Sequence, residues 1–81
     1  MDDNPTPFEA LMLAVRRAGT QAALARIAGV STTAVWKWVR YTKRVPAEYV
    51  LKVEAATRVS KHHLRPDIYP IGLRRSRKVA A

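Results

Sequence analysis

Residues 21–40 read QAALARIAGVSTTAVWKWVR, and the fold depends on how that stretch is organised. Leu24, Ala25, Ile27 and Ala28 share one side of a first helix, and Val35, Trp38 and Val39 share one side of a second. Gly29 stands between them, where the chain needs a left-handed backbone conformation that glycine adopts without a Cβ penalty. Val30 then tucks under, and Ser31 can cap the second helix by accepting from a first-turn amide. Ala25, midway along the first helix, supplies the small side chain that two steeply crossing helices need at their contact. Two short helices joined in this way form a helix-turn-helix pattern.

The other side of the second helix is polar. Thr33, Trp36, Lys37 and Arg40 recur at i, i+3, i+4 and i+7 and so form one stripe, opposite the Val35, Trp38 and Val39 stripe. In a helix-turn-helix bound to DNA the second helix enters the major groove with its N-terminal residues against base edges. Ser31, Thr32 and Thr33 would lie nearest the bases, and Arg40 at the far end could reach a guanine edge or a phosphate.

Charge agrees with a polyanionic partner. The 81 residues carry 15 Lys and Arg against 6 Asp and Glu, a formal charge of +9 and a pI near 10.9. The length suits one small domain, and 48% hydrophobic residues suffice for a core. No apolar run approaches the roughly 18 residues needed to cross a bilayer, and no helix pairs a wholly basic face with a bulky apolar one. With no cysteine, disulfides, thiolate metal sites and thiol catalysis are excluded. The opening MDDNPTP is acidic and bears prolines, the reverse of a secretory signal, so an intracellular, soluble protein is expected.

Outward from the motif, Met1–Pro5 reads as a disordered lead. Thr6, Pro7 and Glu9 combine a cap, a first-position proline and a capping-box glutamate, and start a helix with Phe8, Leu11, Met12, Val15 and Ala18 on one face. Gly19 ends that helix and Thr20 caps the next. Gln21 opens the next helix at its positive end, a position that favours a phosphate or is merely solvated; Arg26, on the outer side, is a further candidate for backbone contact.

After Arg40, Lys43 and Arg44 fall in a loop, and a helix is expected from about Pro46 to Thr57, burying Tyr49, Val50 and Val53 and showing Lys52, Glu54 and Arg58. Ser60 can cap one short turn, Lys61 to Leu64, which Pro66 stops. Beyond it, Ile68, Tyr69, Ile71 and Leu73 can pack on the core or on a second copy. Arg74, Arg75, Arg77 and Lys78 form a basic tail that is either solvated or on phosphates. The domain is thus expected at 6–70, with the motif at 21–40 and the tail at 71–81.

Catalytic chemistry finds no support. His62 and His63 are adjacent, so on a helix they point about 100° apart, with no carboxylate at ligand spacing. Asp67 suits a backbone hydrogen bond or an ion pair with Arg65. No Gly-rich phosphate loop or nucleophile–base pair is present, so no enzyme, cofactor, metal or small-molecule ligand is expected.

The helix-turn-helix followed by VPAE at Val45–Glu48 and LRPDIYP at Leu64–Pro70 resembles the Cro-like and YdaS-like regulators of phages and prophages, over Thr20 to Pro70. The resemblance implies an all-α domain of four to five helices that binds an operator in double-stranded DNA, in the bacterial host cytoplasm. The expected recognition helix runs from about Thr32 to Arg40, carried by a weak or DNA-induced homodimer on a near-palindromic operator.

It carries over Ser31, Thr32, Thr33, Trp36, Lys37 and Arg40 as base contacts and Gln21 as a phosphate contact. Arg26, Lys43, Arg44, Arg74 and Arg75 join Gln21 on charge. Some relatives are labelled toxins or antitoxins, which keeps open an antitoxin or adaptor whose partner is a protein.

Three residues depart from the family pattern. His63 replaces an aspartate, which removes an acidic first-turn partner at Ser60. Tyr41 stands where a glycine would end the recognition helix. Trp36 replaces a small polar residue and either meets a thymine methyl or sugar or lies over the Tyr41 loop.

Overall fold

The computed structural model of the chain describes residues 5–70. Within them five α-helices follow one another and no strand occurs: α1 Pro7–Ala18, α2 Gln21–Ala28, α3 Thr32–Lys37, α4 Val50–Thr57 and α5 Lys61–Leu64. The Arg74 and Arg75 tail, Ile71 and Leu73, and residues 1–4 of the lead lie outside the described residues.

Local signals set most of the boundaries. Thr6 Oγ1 accepts from the Glu9 amide at 3.1 Å and Glu9 Oε1 accepts from the Thr6 amide at 2.9 Å, a closed capping box. Thr20 caps α2 through the Ala23 amide at 3.0 Å, and Ser31 caps α3 through the Ala34 amide at 3.1 Å. Between α2 and α3, Gly29 is left-handed at φ 80°, and the Gly29 and Val30 amides both donate to the Ala25 carbonyl. This is the turn that the position of Gly29 predicts.

One core joins the helices. Leu11, Leu24, Val35, Val45, Val50, Val53 and Leu64 are fully enclosed, and α2 packs against α1, α3 and α4 together. The α1 face differs from expectation. Ala10, Leu11 and Ala14 are buried, whereas Phe8, Met12, Val15 and Ala18 are only half-buried. Two alanines one turn apart let neighbouring backbones come close, and close approach buries that side more completely than bulk would.

The segment before α4 also differs. Ala47–Tyr49 forms a 3-10 turn and the regular helix begins at Val50, rather than at Pro46. Tyr49 is half-buried there, stacked on the buried Trp38 ring at 5.5 Å between centroids.

Three long-range hydrogen bonds secure helix ends. Arg17 Nη1 donates to the Thr57 and Arg58 carbonyls at 3.1 and 3.3 Å, satisfying the C-terminus of α4, where Arg58 turns left-handed at φ 64°. Glu54, expected to be exposed, is half-buried and accepts from the Lys61 amide at 3.0 Å. It therefore supplies from α4 the acidic partner that His63 does not provide in α5, where Ser60 also accepts from the His62 amide.

Candidate nucleic-acid interface

A helix in contact with a polyanion must turn its polar side to solvent, and α3 does. Ser31, Thr32, Thr33, Trp36, Lys37 and Arg40 are all exposed, while Val35 and Trp38 are buried and Val39 half-buried. The base-contact candidates are thus brought together on one open surface, held from beneath by the core.

The end of this element is not regular α-helix. The α-helical pattern stops at Lys37 and a π-helical turn, Trp38–Thr42, carries the element past the expected end at Arg40. It closes at Lys43, left-handed at φ 63°, whose amide donates to the Trp38 carbonyl at 2.7 Å. The Thr42 hydroxyl helps to close it, donating to the Arg44 carbonyl at 3.0 Å. Tyr41 therefore lies inside the element, and a lysine two residues later takes the left-handed position.

A π turn brings residues five apart toward alignment. Trp36 and Tyr41 are five apart, and their rings meet edge to face at 5.7 Å and 83°. Both stay exposed, Trp36 at 45% and Tyr41 at 64%, so the pair forms an apolar plate at the end of the polar stripe.

The phosphate candidates differ in how free they are. Gln21, half-buried, opens α2; the Thr20 hydroxyl takes the Ala23 amide, and the first-turn amides before it have no intrahelical acceptor. Arg26 is exposed in the last turn of α2. Lys43 Nζ lies 4.9 Å over the Phe8 ring, a cation–π contact that ties the loop to α1. Arg44 Nη1 is 3.9 Å from Asp67 Oδ2.

Asp67 is itself clasped. Arg65 donates to both its oxygens, from Nε at 2.9 Å and Nη2 at 2.7 Å, and from Nη1 to the Val45 carbonyl at 3.1 Å. The expected Arg65–Asp67 pair is present, and it links the LRPD segment to the loop after α3. Hydrogen bonding from Arg65, with the added charge of Arg44, lowers the Asp67 carboxyl from the ordinary 3.8 to about 2.

Because the folded value is depressed, the stability it lends is complete above 3.8 and is lost as pH falls toward about 2. The thermal midpoint should fall across that window, and Asp67→Asn should flatten the fall. An identical acid profile for the variant would show that the clasp adds nothing.

Two further cations make contacts that their sequence positions do not reveal. A Cβ built on Gly29 would lie 3.9 Å from Lys52 Nζ, so the α4 lysine reaches over the turn of the motif, at the negative end of α2. Lys61 Nζ lies 5.5 Å over the Tyr69 ring, and His62 Nδ1 is 3.0 Å from the Tyr69 carbonyl. A carbonyl only accepts, so that nitrogen carries a proton and is no metal ligand. Among the described residues no group of three His, Cys, Asp or Glu could hold a metal, and no helix is long and apolar enough to cross a membrane.

A left-handed glycine turn joining two packed helices, the second with an exposed polar face, defines a small all-helical helix-turn-helix domain. By sequence the chain belongs to the YdaS family: the family described as bacterial toxin YdaS matches residues 11–72. It is 45% identical over 60 residues to YdaS of Escherichia coli (strain K12), a candidate transcriptional regulator by name. That match takes in 72% of this chain and 61% of the relative's length.

The fold is similar to that of the Cro protein from the prophage element Xfaso 1 of Xylella fastidiosa strain Ann-1. The TM-score is 0.67 at 38% identity, over 73% of this chain and 92% of that one.

Proposed function

We propose that this protein is a sequence-specific double-stranded DNA-binding regulator of transcription, acting in the cytoplasm as a weak or DNA-induced dimer on a near-palindromic operator. The observation that carries the reading is the open face of α3 and its π turn, where Ser31, Thr32, Thr33, Trp36, Lys37 and Arg40 are exposed together above a buried Val35 and Trp38. The formal charge of +9 supports it, as do the regulator and Cro relatives.

In this reading α3 lies in the major groove. Thr33 and Lys37 face base edges, Arg40 takes a guanine edge or phosphate, and the Trp36–Tyr41 plate meets a thymine methyl or sugar. Gln21, Arg26 and Lys43 sit on phosphates, with Arg44 beside them as a candidate already partnered by Asp67, and Arg74 and Arg75 join from a tail at 71–81 that follows a single domain at 6–70. A two-fold dimer of helix-turn-helix domains places its recognition helices about 34 Å apart, the general spacing for Cro proteins and repressors.

Selection from a random duplex library at near-physiological salt tests this. A two-fold motif with half-sites about 10 base pairs apart is expected. Recovery of all sequences alike would reduce the protein to a non-specific polyanion binder. Capture of one stoichiometric protein without duplex binding would favour an antitoxin or adaptor.

A further inference from the structure

Three charged groups meet where the LRPD segment crosses the loop after α3. Arg65 is nearly enclosed, its side chain 15% exposed, and its guanidinium spends three contacts on Asp67 and the Val45 carbonyl. Arg65 is therefore fixed and turned inward. Asp67, at 47% exposure, shares Oδ2 between Arg65 and a second cation, Arg44, 49% exposed. An open recess lined by Thr42, Arg44, Pro46 and Arg65 lies beside them, so solvent and a ligand anion can reach the pair.

The two contacts to Oδ2 are unequal. Arg65 Nη2 at 2.7 Å is a charge-assisted hydrogen bond of full strength, whereas Arg44 at 3.9 Å is beyond hydrogen-bond length and is held by charge alone. A half-exposed pair at that separation is weak and exchangeable. Arg44 is also only four residues beyond Arg40, exposed on the loop that follows the recognition element.

We propose that Asp67 is an internal counter-ion that withholds Arg44 from the DNA backbone, so that this loop contributes less than its full charge to binding. The inference rests on the DNA-binding reading above. A phosphate oxygen offers Arg44 the same acceptor chemistry as a carboxylate. In the free protein part of the counter-charge at Arg44 is the protein's own, so binding releases less salt there than at an unpaired arginine. The domain thereby trades non-specific grip for dependence on the base-reading face.

The test is a double-mutant cycle with Asp67→Asn and Arg44→Gln, measuring affinity for a random-sequence duplex over a series of salt concentrations. Circular dichroism confirms that each variant is folded. Asparagine keeps the shape and accepts from Arg65 but carries no charge. At moderate salt D67N should bind about three- to tenfold tighter, with the slope of log K against log salt steeper by up to about 0.9. R44Q should change the slope little in the wild-type background and abolish the gain in the D67N background.

A gain that survives in the double variant would assign it to a released Arg65 and overturn the proposal, as would a D67N slope identical to wild type. Should D67N not fold, R44Q alone decides: a loss of about 0.9 in slope from the wild type shows Arg44 already fully on phosphate and overturns it, and a small loss supports it. Wild-type protein that binds no duplex even at low salt would overturn the DNA-binding reading itself.

Discussion

Truncating Leu24 to alanine is expected to destabilise the domain by roughly 3 kcal/mol, the range for emptying an enclosed leucine site. Leu24 is 0% exposed on the helix that packs against α1, α3 and α4 at once, so no single neighbour can close the void. A domain of this length has about 4–12 kcal/mol in total. The thermal midpoint should therefore drop by about 10–20 °C in a melt followed by circular dichroism. Leu51→Ala is the control: that side chain is 54% exposed, and its loss should stay within about 0.5 kcal/mol. Similar effects from both would mean that α2 is not the centre of the core.

The second large effect concerns recognition. Lys37→Ala is expected to weaken binding to the selected operator by about 1–3 kcal/mol while changing affinity for random duplex much less. Lys37 is exposed in the last turn of the regular part of α3, one turn from Thr33 on the same stripe. Arg40 already lies on the wider π turn, which rotates it away from the place a straight α-helix would give it. Arg40→Ala should then split differently, with a larger share of its loss appearing on random duplex. Equal losses on both duplexes for Lys37→Ala would mean that this lysine touches phosphate and reads no base.

What was legible in the sequence was local. Thr6, Thr20, Ser31 and Ser60 each cap the helix that follows them, and Gly29 turns left-handed, because a cap or a positive φ is decided by residues within one turn. The exposed stripe on α3 was equally legible from its period.

The rest depends on distant partners. Arg17 meets the end of α4 forty residues away, Arg65 reaches Val45 across twenty, and Glu54 finds α5 across seven. No spacing rule announces such pairs. The burial of Ala10 and Ala14 was hidden for another reason: alanine carries little hydrophobic signal, yet a small side chain suits a packed helix contact. The left-handed Lys43 gave no warning either, since a lysine there is disfavoured locally and the surrounding contacts must hold it. As for the site, the sequence named the α3 face, but not the Asp67 carboxylate beside Arg44 or the Lys52 ammonium near the turn.

The π turn at Trp38–Thr42 holds one residue more than an α-helical turn would need to span the same bond pattern. A chain shorter by one residue there could close a regular helix while Val35 and Val45 kept their places. The cost would fall on Lys43 and Arg44, which would emerge at a new angle around the helix axis. A deletion in this segment would thus redirect the loop cations and also disturb the contacts that the turn makes with the core, through Trp38 on Tyr49 and Lys43 on Phe8.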